Sequence, residues 1–265
     1  MEGLKVVSLM AENAEFIVEA VVGYLDDELE GPVALVGDRP WQERQRLLDT
    51  GDIQMAWICG LPYARRADKP APRIELVAAP VMRGPRYEDR PIYFSDVVVR
   101  RDSGFRTFDD LRGASWAYNE PDSHSGYNVV AHHLVTLGET WDYFGRVVEA
   151  GSHQASLGMI LDGGIDASAI DSTVLELELE KDPTMESRLR VIETLGPSPI
   201  PPWVILRSVP EARREAVRET LIGMEEDARG RDVLSELPVA RFARVEDGDY
   251  DPIRRMARKA AEVGP

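Results

Sequence analysis

The chain has 265 residues, 43% of them hydrophobic, enough for one large domain or two smaller lobes, and this excludes wholesale disorder. Its 47 acidic and 31 basic residues leave a net charge of −16, whose long-range field repels nucleic acid and anionic membrane. A small anion held by local dipoles in a cleft is not excluded, and the one cysteine excludes an internal disulfide.

Residues 4–10 predict a buried strand. No basic leader and no apolar segment of signal-peptide length precedes it, so the sequence as it stands predicts a cytoplasmic protein, or a periplasmic one if a leader has been removed. Residues 15–29 predict a helix, with Phe16, Ile17, Ala20, Val21 and Tyr24 at helical spacing and Gly31-Pro32 as its stop. A short strand (33–36), a short helix (41–48) and a strong apolar strand (53–59) follow. Cys59 ends that apolar run and reads as a small buried core residue. Strand, helix, strand, helix, strand is the signature of a parallel sheet with right-handed crossovers. Gly60-Leu61-Pro62-Tyr63 then reads as a loop beyond a strand end, where open α/β sheets bind ligands. Tyr63 either lines such a site or packs the loop.

Residues 74–81 predict another strand, and 91–100, containing Tyr93 and Ser95, a long extended run able to pass from one lobe to another. A short capped helix is expected over 105–113 and a strand over 114–118. The turn Asn119-Glu120-Pro121 leads into Asp122-Ser123-His124-Ser125-Gly126-Tyr127-Asn128, which opens a helix over 127–137. Two readings of this stretch stand. Ser123 or Ser125 is an ordinary cap for the first turn, or the cluster offers hydroxyls and unpaired N–H groups to an anion. A second strand–turn–helix unit places His153 at its turn, before a helix over 154–161. The strand over 165–171 ends in Asp171. Beyond it come a helix (175–181), a strand (189–194), a proline-rich extended stretch (196–202), a strand (203–206), an amphipathic helix (211–228) and a charged terminal helix (251–263). His132 and His133 are adjacent and cannot face the same way, and no metal-ligand spacing, P-loop or nucleophile elbow occurs. No metal and no cofactor is expected.

Taken in order, Phe94-Ser95-Asp96-Val97-Val98-Val99-Arg100-Arg101-Asp102-Ser103-Gly104, Asp109-Asp110-Leu111-Arg112-Gly113, Ser123-His124-Ser125-Gly126, Gly151-Ser152-His153 and Asp166-Ala167-Ser168-Ala169-Ile170-Asp171-Ser172 resemble the phosphonate/phosphite/phosphate substrate-binding proteins (PhnD-like) of ABC transporters. The resemblance runs from the first strand to about Arg207. It implies an α/β type II periplasmic-binding-protein fold: two Rossmann-like lobes joined by two crossover strands, residues 1–92 plus 203–265 and 93–202, with a ligand cleft between them. It further implies that Ser123, His124, Ser125 and Gly126 grip a tetrahedral oxyanion, joined by Ser95, His153 and Asp171, while Tyr63 and Tyr93 close over it. The implied partners are a small anionic or polar ligand and an ABC-transporter permease, with no nucleic acid and no membrane insertion. The alternatives are a cytoplasmic enzyme on the same scaffold, a lyase or biosynthetic enzyme with His153 as base and Asp171 orienting it, or a ligand sensor.

Overall fold

The computed structural model describes residues 3–263. In chain order the elements are β1 (Leu4–Ser8), α1 (Glu15–Glu28), β2 (Val33–Leu35), α2 (Trp41–Thr50), β3 (Met55–Trp57), α3 (Gly60–Ala67), β4 (Ile74–Met82), β5 (Ile92–Arg100), β6 (Ser115–Tyr118), α4 (Val129–Thr136), β7 (Arg146–Glu149), α5 (His153–Leu161) and β8 (Ala167–Asp171). There follow α6 (Ser172–Lys181), α7 (Thr184–Arg188), β9 (Leu189–Pro199), β10 (Trp203–Leu206), α8 (Glu211–Ile222), α9 (Ala228–Ser235), β11 (Val239–Ala243) and α10 (Asp251–Ala260). Two compact units result, Met1–Ile92 with Pro199–Asp251, and Tyr93–Ser198 with Pro252–Pro265.

The first unit is built on a six-stranded sheet in the order β11-β4-β10-β3-β1-β2. Parallel pairing of β1 with β2 and β3 follows from the alternating strands and helices of the first sixty residues. β10 enters antiparallel between β3 and β4. α1 buries Ile17, Val21 and Leu25 on one stripe and Val18 and Val22 beside it, the spacing that makes it amphipathic. α2 stops where Gly51 takes the left-handed conformation (φ 95°), open to glycine without a Cβ clash. Glu75 on β4 anchors α8 by accepting from Arg214 Nε at 2.8 Å and Arg218 Nη2 at 3.1 Å.

In α9, Gly230 lies so close to the Met224 carbonyl that an added Cβ would sit 2.0 Å from its oxygen. The obstacle is backbone and cannot swing aside. Gly230→Ala is therefore expected to cost about 1–3 kcal/mol, read as a lower midpoint in urea unfolding. An unchanged midpoint would show that this turn gives way freely.

The second unit carries a five-stranded sheet in the order β7-β6-β8-β5-β9. β6 pairs parallel with β7 and β8, and β5 runs antiparallel to β8. The C-terminal ends of β6, β7 and β8 therefore share one edge of the sheet, where the turns into α4, α5 and α6 begin. The core beneath is aromatic: Trp116 stacks on Phe144 at 4.5 Å, and Phe108 meets the His133 ring edge-on at 4.5 Å.

The structure departs from the sequence reading at several places. Residues 60–63 are the first turn of α3 and not a loop; Pro62 falls where the helix needs no N–H from it, so it does not break the turn. The helix expected over 211–228 ends at Ile222, and β11, a two-partner-poor edge strand beside β4, was not expected. Cys59 is half-buried at the start of α3 and not a core residue, and His132 and His133 are both half-buried. At the tail, Ala260 and Met256 pack into the aromatic core of the second unit, so residues 252–265 group there and not with the first unit. Residues 199–202 group with the first unit instead of the second.

Candidate functional site

The chain leaves β6 at Tyr118 and turns twice before α4. His124–Asn128 form a single π-helical turn, in which the Asn128 N–H reaches back to the Ser123 carbonyl at 3.0 Å. Such wide turns occur mostly at functional sites. Ser123 caps it, its Oγ accepting from the Gly126 N–H at 3.1 Å. The other opening N–H groups of this turn have no preceding helical carbonyl to bond.

Ser125 and His153 form the centre. The Ser125 hydroxyl lies 3.1 Å from His153 Nε2 and joins the start of the π turn to the start of α5. The Ser125 carbonyl accepts from Ser95 Oγ at 2.9 Å, so β5 props the turn from below. Ser152 caps α5 through the Ala155 N–H at 3.0 Å and leaves His153 as the first helical residue. Its other ring nitrogen, Nδ1, is buried with no hydrogen-bond partner. A buried polar atom left unpaired costs about 1–3 kcal/mol, and such an atom beside two helix starts is a donor or acceptor waiting for a ligand. Burial alone pushes the His153 imidazole down to about 4, so near neutral pH it is uncharged.

His124 is placed differently. It is fully buried; its Nδ1 accepts from Asn128 Nδ2 at 2.9 Å, and Nε2 lies 2.8 Å from Ser198 Oγ on β9. Both ring nitrogens are thus engaged within the protein, in the tautomer with the proton on Nε2. Burial, and behind it the neighbouring His132, hold its pKa at about 3. Tyr93 is buried with its ring 6.3 Å from that of His124. Asp171 caps α6: its Oδ1 accepts from the Thr173 N–H at 2.8 Å and Thr173 Oγ1 at 2.7 Å. Burial raises its pKa to about 6 against the lowering pull of those bonds. It pairs across the ladder with Ser95, so both side chains lie on one face. Tyr63 belongs to the first unit, buried against Tyr250 at 4.7 Å and donating its hydroxyl to Asp247 at 2.7 Å.

The structure thus brings Ser95, Ser123, Ser125, Gly126 and His153 to one edge of the second sheet. His124, Tyr93 and Asp171 support that edge, and Tyr63 lies in the other unit. One residue of the edge escaped the sequence reading: Asn119, the first residue after β6, whose buried Oδ1 has no partner. In sequence it looked only like part of a turn.

The buried histidines give a pH dependence with a definite sign. An unfolded histidine titrates near 6.5, whereas folded His153 stays neutral down to about 4. Its contribution to stability is complete above about pH 6.5 and is lost as pH falls towards 4, by about 1.4 kcal/mol per pH unit. Asp171, raised to about 6, and Glu120, raised by burial to about 7, pull the opposite way over the same range. The prediction therefore concerns a difference: the stability gap between wild type and His153→Gln, from urea midpoints, should shrink in the wild type's disfavour between pH 6.5 and 4.5. A gap that does not move with pH would mean that His153 is solvated.

Residues 10–250 match the family described as ABC transporter, phosphonate, periplasmic substrate-binding protein. Among solved structures, the chain is similar to a binding-protein component of an ABC phosphonate transporter from Pseudomonas aeruginosa, at 17% identity and a TM-score of 0.85 over 98% of this chain and 87% of that one. PhnD1 from Prochlorococcus marinus, in complex with methylphosphonate, matches at 18% identity and 0.83 over 98% and 99%. A Xanthomonas citri protein bound to ATP matches at 14% and 0.73 over 99% and 98%. At these identities the structures speak to the fold, which is that of the type II periplasmic binding proteins, while the family match spans nearly the whole chain. The chain belongs to the periplasmic substrate-binding proteins of phosphonate ABC transporters.

Proposed function

We propose that the chain captures a small phosphonate or closely related oxyanion without chemical change and delivers it to an ABC-transporter permease. The observation that carries this reading is the Ser125–His153 pair, which ties two helix starts together and leaves His153 Nδ1 buried and unpaired. Helix-start N–H groups and a neutral imidazole N–H stabilise a bound anion without burying a cation. Family membership and the methylphosphonate held by the Prochlorococcus relative support the phosphonate class. The cytoplasmic placement expected from the first residues finds no support in a family described as periplasmic, and we place the working protein outside the cytoplasm. Among the described residues no helix is long and apolar enough to cross a membrane.

The test is a thermal-shift screen with methylphosphonate, phosphite, phosphate, methanesulfonate and ATP, followed by calorimetry on the hits. Ligand at a hundred times its dissociation constant adds about 2.7 kcal/mol to stability. A shift with a phosphonate or phosphite, and an intact ligand recovered afterwards, is the expected result. Silence from every oxyanion, or a ligand consumed on the protein, would remove the transport reading.

A further inference from the structure

Asn119 stands between the two turns that open the helices of the site. Its backbone carbonyl accepts from the Gly151 N–H at 2.8 Å, in the turn before α5, just as Tyr118 accepts from Ala150 at 2.8 Å. Its Cα is therefore fixed where β6 and β7 end. The side chain is 9% exposed, and Oδ1 is buried without a hydrogen-bond partner. It is packed on Gly126, where an added Cβ would stand 2.0 Å from Asn119 Oδ1 and 3.1 Å from His153 Cε1. Cε1 is bonded to the unpaired Nδ1. Two orphaned polar groups, one from each side of the same glycine, thus converge on one spot.

A leucine of similar size would fill this place at no polar cost, so an unpaired buried amide is unfavourable for the free protein. Holding one at the mouth of an anion site is explained if a ligand completes its bonding. With Oδ1 turned onto Gly126, the NH2 prong on the other side of the planar amide is the end able to reach a ligand. We propose that Asn119 is a further ligand-binding residue of this site, its side-chain N–H donating to the bound oxyanion beside Ser125 and His153. The inference rests on the oxyanion reading above. A neutral donor recognises the oxygens of any such group, so Asn119 adds affinity for oxyanions as a class and leaves the choice between phosphonate and sulfonate to other contacts.

The experiment measures calorimetric affinity for methylphosphonate and methanesulfonate, and the ligand-free melting temperature, for wild type, Asn119→Leu and Asn119→Asp. Asn119→Leu is expected to keep or raise the melting temperature, because it removes an unsatisfied group, and to weaken methylphosphonate about tenfold. Whatever methanesulfonate affinity the wild type has should fall by a similar factor. Asn119→Asp, the same shape without the N–H donors and with a negative charge, should bind far more weakly than the leucine variant at pH 7.5 and recover towards pH 5. Affinity in Asn119→Leu within twofold of wild type overturns the proposal, as does an aspartate variant no worse than the leucine one. A ligand-free melting temperature that falls with leucine assigns the amide to the fold and overturns it too. A wild type that binds no oxyanion removes the oxyanion reading itself, and this inference with it; normal wild-type binding with an indifferent Asn119 removes only this inference.

Discussion

His153→Ala is expected to weaken methylphosphonate binding by roughly 10–100-fold, the worth of one hydrogen bond to a charged group. The imidazole is neutral at working pH because burial holds its pKa near 4, so its contribution is a donor and not a charge. With Ser125 Oγ 3.1 Å from Nε2, a Ser125 proton given to Nε2 leaves the imidazole proton on Nδ1, the atom without a partner. Ser125 thereby selects the tautomer that serves an anion. Ser125→Ala should accordingly lose a comparable factor, and the double variant little more than either single one, because the two side chains act as a unit. Calorimetric affinities for the four proteins close this cycle. Additive losses would mean that Ser125 and His153 touch the ligand independently, and no loss in His153→Ala would place the ligand elsewhere.

The architecture was legible because apolar runs of four to eight residues, separated by glycine and proline, can only be strands joined by short helices. The parallel order of β1, β2 and β3 followed from that alternation alone. The site was legible where hydroxyls, glycine and histidine cluster at helix starts. It was less legible in the parts played by its members. Asp171 looked like an acceptor for a ligand, yet Asp171-Ser172-Thr173 is a cap sequence, and the structure uses Oδ1 for Thr173. Asn119 gave no signal, because burial without a partner is a property of tertiary packing. α3 was hidden by a start that lacks any capping side chain. β11 was hidden by Arg241 within a five-residue edge strand whose only sheet neighbour is β4.

His124→Ala is expected to do the opposite of His153→Ala: to cost about 3–5 kcal/mol of stability while changing ligand affinity only a few-fold. His124 is 0% exposed and ties the π turn to β9 through Ser198 at 2.8 Å and to its own next turn through Asn128 at 2.9 Å. Truncation would leave a cavity beside Tyr93 and strand two buried partners, Ser198 Oγ and Asn128 Nδ2, each at the cost of an unsatisfied polar group. The resemblance in sequence assigns this position to the ligand, and here a larger ring stands in a Ser-x-Ser-Gly motif. With both ring nitrogens already bonded inside the protein, the ring has no hydrogen-bonding capacity left for a ligand unless one of those bonds breaks. The measurement is a pair: urea midpoint by circular dichroism, and methylphosphonate affinity at a temperature where the variant is folded. A midpoint far below wild type with affinity largely kept makes His124 the pin that shapes the turn. Unchanged stability with affinity down about a hundredfold would mean that a ligand recruits the His124 ring by releasing Ser198, and would move His124 from the frame of the site to its contact surface.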